Sequence, residues 1–405
     1  MIKKPRGTRD FLPDEMEERR EVERKMREVA SSFGYREICT PTFESSELYT
    51  IKSGEGIIEE MYVFEDKGGR RLALRPEGTA AVLRMYVNEG KVLSKPVRWC
   101  YLSDCYRYER PQKGRYRQFW QFGAELIGAD TAAADAEMIL LAYEILSSTG
   151  VNFDMHVGHL SPMKHLLSDL PEDERKKVMA LLDKKNFDGL TDYLTSAGKP
   201  ELFDKLKDLV ECSTLKEAMD ICGDFPESER MADMLDILNH TGMKYKLNLG
   251  IVRGLDYYTG MVFEGFADNL GAENQIIGGG SYRLAHLFGG EETASCGFGI
   301  GFDRVMVSLG QVEIEKKPVV AVAYTPEAAS RAFEVAGIFR KAGIHTEVNL
   351  LERGIGAQMK YAAKTASYVA LIGARECESG LITLKNLVSG EQKEISPEGA
   401  VSEVV

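Results

Sequence analysis

The sequence predicts an α+β protein in two parts. A long domain built on an antiparallel sheet is split by a helical insertion, and a small α/β domain follows. Three observations predict this. Apolar, aromatic and charged residues alternate at period two on both sides of Pro111-Gln112-Lys113-Gly114, as in two strands folded back on each other. From about residue 160 to 240 the texture changes to short helical patterns separated by Gly, Pro and charged breaks. After residue 317, strand and helix patterns alternate, the βαβ signature of a mostly parallel sheet. A chain of 405 residues is also too long for one ordinary core. The expected divisions are 1–159, 160–240, 241–312 and 318–405.

Taken in order, residues 14–33 read as an amphipathic helix with Val22, Met26, Val29, Ala30 and Phe33 on one stripe. Asp14 is the expected N-cap and Gly34 the stop. YREICTPTFE reads as extended, with Pro41 on an edge or at an interface. MYVFEDKGGRRLALRPEG reads as a hairpin turning at Lys67-Gly68-Gly69, followed by a helix from about Gly78 to Val87. PVRWCYLSDCYRYE and RQFWQFGAELIG are the two antiparallel strands, and residues 131–149 return to helix. In the insertion, MKHLLSDL, ERKKVMALLDKK, LTDYL, LFDKLKDLV and LKEAMDIC are short helices expected to close a small core of their own. KLNLGIVRGLDYYTGMVFEGFA and NQIIGGGSYRLAHLFGG resume strand patterns, and SCGFGIGFDRVMVSL begins as a glycine-rich strand and ends as a helix. Beyond the charged linker QVEIEKK come strand PVVAVAY, helix 327–341, strand 345–350, helix 356–366 and strand 368–373.

The formal net charge of -12 is not that of a general nucleic-acid binder, so any such contact must be local and salt-sensitive. No apolar run approaches the ~20 residues of a membrane span. The start, MIKKPRGTRD, lacks the apolar stretch of a secretory signal, which makes a cytoplasmic location the default expectation. The seven cysteines are scattered without a C-x-x-C and read as buried free thiols of a reducing compartment. Cys100 and Cys105 should face opposite sides of their strand. The six histidines show no ligand spacing.

Against this acidic background, Arg98, Arg107, Arg110, Lys113, Arg115 and Arg117 lie close together, with only Asp104 and Glu109 among them. Arginine on a strand presents a fixed fork of donors suited to phosphate oxygens. A solvated charged hairpin is the other reading, and the interleaved aromatics favour a polyphosphate site. Arg107, Arg115, Arg253 and Arg304 come from three separated segments and could surround phosphates from several directions. The alternative device, a G-x-x-x-x-G-K-[ST] loop, does not occur. Gly297, Gly299 and Gly301 would leave one strand face bare for a flat ring or a backbone, or form a packing bulge. Taken singly, Glu77 fits a first-turn helix acid, Tyr257 and Tyr258 fit core and surface neighbours on a strand, and Glu125 fits a partner for a structural cation.

Jointly these segments carry a resemblance. The hairpin, with Arg107 two residues before Glu109, resembles motif 2 of class II aminoacyl-tRNA synthetases. GFGIGFDR, ending in Arg304, resembles motif 3, and the helix 14–33 leading to a strand ending at Pro41 is similar to motif 1, the dimer-forming element. LALRPEGT (72–79), RYERPQKGRYRQFWQFGAE and VRGLDYYTG (252–260) together resemble the histidyl-tRNA synthetase family over essentially the whole chain.

The resemblance implies a class II catalytic domain with a helical insertion and a C-terminal α/β anticodon-binding domain. It implies activation of L-histidine by ATP to histidyl-adenylate, then transfer to the 3'-terminal adenosine of tRNA(His). Mg2+ accompanying ATP, no metal site made by protein ligands alone, a homodimer and no membrane partner belong to the same expectation. Glu77 and Thr79, helped by Gln121, would hold the histidine ammonium. Glu125 and Tyr258 would read the imidazole nitrogens, with Leu255, Tyr257 and Tyr282 lining the pocket. Arg107 would hold the α-phosphate, Arg115 and Arg304 the outer phosphates, with Glu109 beside them and Phe119 stacked on adenine. Arg253 would bridge the substrate carboxylate and the α-phosphate. A carboxylate nucleophile, with a pKa near ~3.5, is already ionised and requires no general base. The chain departs from the family pattern GGRYD, reading GGGSYRLAH with Ser281 and Arg283 around the retained Tyr282. The competing reading is a catalytically silent relative such as the regulatory subunit of ATP phosphoribosyltransferase. That relative would be expected to lack some of the arginines and the C-terminal domain.

Overall fold

The computed structural model describes residues 2–53, 55–110, 113–252, 257–271, 274–315 and 317–404. The chain divides into two compact units, Met1–Val312 and Glu313–Val405.

Among the described residues, the first unit carries an eight-stranded sheet. Its order is Arg36–Glu37, Val97–Tyr106, Gln118–Ile127, Ser295–Gly301, Gln275–Tyr282, Tyr258–Phe266, Asp154–His159, Lys246–Leu247. The inner strands pair antiparallel, and the two short edge strands pair parallel. Strand Gln118–Ile127 divides its residues between two sides, as period two requires. Phe122, Ala124 and Leu126 enter the main core, whereas Gln121 faces the other way. Cys100 and Cys105 separate as their spacing dictates. Cys100 packs in that core, and Cys105 Sγ lies 3.4 Å from Gln121 Oε1.

The first helix, Pro13–Ser32, opens on a proline, which fits the first turn because its missing N–H would have no partner there. Leu12 is therefore the N-cap, without a side-chain bond, and Asp14 is a first-turn acid rather than the expected cap. Val22, Met26 and Ala30 are fully buried and share the core with the helix Ala132–Thr149, which Thr131 caps by accepting the Ala134 N–H at 3.2 Å. Arg19 and Glu23 are also buried, which the apolar stripe does not foretell.

Residues 160–240 form helices Leu160–Leu166, Glu172–Asp183, Phe187–Ser196, Leu202–Glu211, Leu215–Cys222 and Ser228–His240. The separate small core expected here does not form. Leu190, Leu206 and Met231 belong to the same apolar cluster as Phe122 and Met138. The reason is geometric: Ser228–His240 lies along Ala132–Thr149, and Leu160–Leu166 lies on strand Tyr258–Phe266, so the apolar faces run on without a break. The expectation of uniformly buried thiols also needs correction, because Cys39 and Cys377 are exposed.

In the second unit the strand order is His345–Val348, Val319–Tyr324, Tyr368–Ile372, Ile382–Asn386, Gln392–Ile395. The first three are parallel, and the last two add an antiparallel hairpin beyond the last strand foreseen. Helices Ala329–Lys341 and Pro397–Val404 pack together over Val320, Val322 and Phe339.

His159 closes strand Asp154–His159 with 2% exposure, and its Nδ1 accepts the Ser161 N–H at 3.2 Å. Burial, then the charges of Arg230 and Lys164, push the imidazole down from 6.5 to about 3. Below pH 6.5 the unfolded chain binds a proton that the folded ring refuses. The stability this histidine contributes is therefore complete above 6.5 and is lost as pH falls toward 3. In urea melts of the whole chain, stability should drop between pH 6.5 and 4.5 by up to about 1.4 kcal/mol per pH unit from this ring. His159→Gln should flatten that slope, and an unaltered slope would assign the loss to other groups.

Candidate active site

A cleft of about 1010 Å³ lies over the side of the sheet that Gln121 occupies. Two kinds of chemistry line it, at opposite ends of strand Gln118–Ile127. Phe119, Gln121 and Glu125 sit at even spacing on that strand, so the first and last are separated by roughly 20 Å of extended chain.

At one end the donors and acceptors are carboxylates and phenols. Glu77 follows Pro76 and lines the cleft. Its carboxylate accepts the Thr79 N–H at 2.7 Å and the Ala80 N–H at 3.1 Å, so it also serves the start of helix Thr79–Met85. The reading of Glu77 as a first-turn helix acid therefore holds, and the same residue borders the cleft. Glu125 is 0% exposed. It does not line the cleft; it lies just beneath Tyr101 and Tyr282, which do. The Tyr101 hydroxyl donates to Oε1 at 3.4 Å, and the Tyr282 hydroxyl donates to Oε2. Tyr258 stands opposite Tyr282 in the sheet and packs on Tyr257 with ring centroids 4.3 Å apart. Burial first, and the Glu125 charge after it, hold the Tyr101 and Tyr282 phenols well above their ordinary range. For Tyr258, burial is followed by Tyr257 and then Glu125. All three stay protonated and remain donors.

The space for Glu125 comes from across the sheet. Gly297 is its registered neighbour, and a Cβ there would sit 1.8 Å from Glu125 Oε2. The bare face foreseen for the glycine strand is thus partly filled by the protein's own carboxylate. At Gly299 a Cβ would meet Gln121 Nε2 only at 3.5 Å.

The other end is cationic. Arg107 Nε donates to the Pro76 carbonyl at 2.9 Å, and its guanidinium lies 5.2 Å from the centre of the Phe119 ring. Arg115 pairs with Glu109, which Arg107 approaches at 3.9 Å. Arg304 opens helix Phe302–Leu309 and donates to the Gln275 carbonyl. Its Cγ would lie 3.5 Å from a Cβ on Gly114, which brings the two distant segments side by side. Arg107, Arg115 and Arg304 all line the cleft with Glu109 and Phe119. Arg253 and Leu255 lie outside the described residues.

The other cations of the hairpin go elsewhere. Arg98 pairs with Glu137 at 2.9 Å, Arg117 Nε donates to the Glu109 carbonyl at 3.2 Å, and Lys113 Nζ donates to the Asn269 carbonyl at 3.1 Å. The acid Asp104 belongs to Arg75, which is 4% exposed and was not foreseen.

Sequence reasoning also missed Asp303, the neighbour of Arg304. It is 1% exposed and accepts from Arg9, from Arg19 at 2.8 Å and from the Trp120 backbone N–H at 2.7 Å. Tyr101 was missed too, although it alternates in step with Cys105 on the site side. The chemistry this arrangement suits is a ligand with a cationic, doubly polar group at one end and a polyphosphate at the other.

Comparison with known proteins places the chain in a family. A family model described as Histidyl-tRNA synthetase matches residues 7–305, and one described as Anticodon binding domain matches residues 315–405. A histidine--tRNA ligase of Methanoculleus marisnigri is 63% identical over 404 residues, covering 100% of this chain and 98% of that protein. Among solved structures, apo S. aureus histidyl-tRNA synthetase superposes with a TM-score of 0.75 at 28% identity, covering 100% of both chains. A Bacillus halodurans protein described as an ATP phosphoribosyltransferase regulatory subunit/histidyl-tRNA synthetase superposes at 0.78 with 26% identity, over 92% of this chain and 97% of its own.

The contact under Glu125 is open to test. Gly297→Ala should cost about 1–3 kcal/mol through overpacking against a buried carboxylate, read as a lower urea midpoint. Gly299→Ala should cost less than about 1 kcal/mol, since the added methyl meets only an ordinary contact. Equal midpoints for the two variants would refute the close approach.

Proposed function

The chain belongs to the histidyl-tRNA synthetase family, and from that premise we propose how its residues divide the work of a class II histidine--tRNA ligase. The reaction joins L-histidine to ATP as histidyl-adenylate with release of pyrophosphate, then transfers the histidyl group to the terminal adenosine of tRNA(His).

The observation that carries the assignment is the two-ended cleft. Histidine has an ammonium and a ring with two polar nitrogens. Those groups suit the end where Glu77 and Gln121 meet phenols held in donor form. Glu77, Thr79 and Gln121 take the ammonium. Glu125, Tyr258 and Tyr282 set the ring, with Tyr257 and Leu255 closing the wall. Glu125 acts from beneath the surface, directly or through the two tyrosines bonded to it. A pocket whose polar groups would be left unpaired by a non-matching ring discriminates sharply. At the other end Phe119 receives adenine, Arg107 the α-phosphate, and Arg115 and Arg304 the outer phosphates, with Glu109 holding Arg115 in place. Arg253 joins the two ends at the reacting carboxylate.

One carboxylate oxygen of histidine attacks the α-phosphorus in line, and the bond to the bridging oxygen of pyrophosphate breaks. The nucleophile carries its charge already, so the protein needs to move no proton. Acceleration comes from alignment of the two substrates and from guanidinium groups placed where charge builds on phosphorus. Magnesium enters with the nucleotide. It would offset charge on the outer phosphates beside Arg115 and Arg304, with Glu109 lining the same cleft.

The segment 160–240 is read as an insertion in the catalytic domain, and residues 318–405 as the anticodon-binding domain. A cytoplasmic homodimer belongs to the same reading. No helix of the described residues is long and apolar enough to cross a membrane. The silent-relative alternative is disfavoured by the presence of Arg107, Arg115 and Arg304 in one cleft and by the match over residues 315–405.

ATP–pyrophosphate exchange, run with each amino acid in turn and before tRNA is added, should proceed with L-histidine only. Arg107→Ala should slow exchange about a hundredfold or more, the usual cost of losing one such donor. Glu125→Gln should act mainly on the histidine KM. Exchange without histidine dependence would discard the function, and an unchanged histidine KM in Glu125→Gln would discard the pocket assignment alone.

A further inference from the structure

The pairing beside Tyr282 is irregular on one side. Strand Gln275–Tyr282 shifts its register against strand Tyr258–Phe266 between Gly280, opposite Val262, and Tyr282, opposite Tyr258, so Ser281 alone faces Thr259, Gly260 and Met261 and the extra residues lie on the partner strand. Ser281 Oγ bonds the Met261 carbonyl at 3.3 Å. Such a bulge re-aims the next side chain and needs something to hold it. The holding groups come from residues 160–240. Lys164 Nζ donates to the Tyr258 and Thr259 carbonyls at 3.3 and 3.1 Å. Arg230 binds Asp135 at 2.8 Å and Asp130 at 2.5 Å. The other oxygen of Asp130 takes Arg283, the residue that follows Tyr282. Asp135 is 2% exposed, so this chain of charges is anchored in the interior. Asp130 thereby answers Arg283, which stands where the pattern GGRYD has an acid.

We propose that Arg230 is a positioning residue for histidine recognition. Through Asp130 and Arg283 it pins the end of the strand just past Tyr282, beside the bulged partner strand, so that the Tyr282 hydroxyl stays on Glu125 and the helix Ser228–His240 sets the histidine end of the cleft. Arg230 touches no substrate. The inference rests on the reading that Tyr282 and Glu125 face the imidazole. Arg283 is the gentler handle, because its side chain is 35% exposed whereas Arg230 partners the buried Asp135.

The test is ATP–pyrophosphate exchange on the full chain, with separate KM values for histidine and ATP and a thermal midpoint for each variant. Tyr282→Phe should raise the histidine KM. Arg283→Met and Arg230→Met should each raise it about tenfold and leave the ATP KM within about twofold. Arg230→Lys should recover part of the loss, and the double methionine variant should be no worse than the poorer single one. If Tyr282→Phe raises the histidine KM but Arg283→Met does not, the positioning role is wrong and the pocket reading stands. If Tyr282→Phe has no effect, the pocket reading fails and takes the inference with it. If both KM values and the thermal midpoint worsen together in Arg283→Met, the network is only structural and the proposal is overturned.

Discussion

One buried carboxylate ties the nucleotide end of this molecule together. Asp303 gathers Arg9 from the N-terminal segment, Arg19 from the first helix and the Trp120 N–H from the hairpin strand. It also precedes Arg304 in the chain. Two adjoining N-terminal stretches and the distant hairpin strand are thereby fixed against the helix that presents a cleft arginine. Charges this deep are expensive to bury, and breaking such a set typically costs about 3–5 kcal/mol because the remaining partners stay desolvated. Arg19 lies over Phe11, Trp120 and Phe302, so its charge is shared with ring faces as well as with oxygen. The rest of the site inherits its shape from this point. Trp120 lies between Phe119 and Gln121, and those two begin the ladder that ends at Glu125.

What could be read from the residues, and what could not, follows the range of the forces involved. The hairpin strands and the glycine strand were legible because alternation and turn residues are local signals. So was the gathering of Arg107, Arg115 and Arg304, because their setting in a recognised pattern carries three-dimensional information indirectly. Partners joined over long separations were not legible. Arg19 and Asp303 are 284 positions apart, and neither neighbourhood marks the other. Arg75 with Asp104, and Arg230 with Asp130 and Asp135, are the same kind of pairing. The N-cap was misread because a proline at the first helical position outranks an acid one step later. The core of residues 160–240 was misread because an apolar face says that something covers it, not what.

The cleft also explains an absence that would be puzzling in most enzymes. His159 is sealed and neutral. Cys100 and Cys105 are pushed up to about 12 by burial, too far for a ready nucleophile. His156 on the cleft wall is engaged by Asn248 at 3.1 Å, and the groups assigned to the two substrates are fixed charges and fixed donors. That is a sufficient kit for joining a carboxylate to a phosphoryl group, where the difficulty lies in bringing two anions together and not in creating either one.

The open space at Gly297 has a genetic corollary. Every single-nucleotide change in a glycine codon that still encodes an amino acid, other than a silent one, installs at least one more heavy atom. No neighbouring codon offers a smaller residue. The carboxylate on the adjacent strand occupies that vacancy, so mutation has no small step available at this position. The pocket is guarded there by an atom that is missing, and drift can only fill the hole.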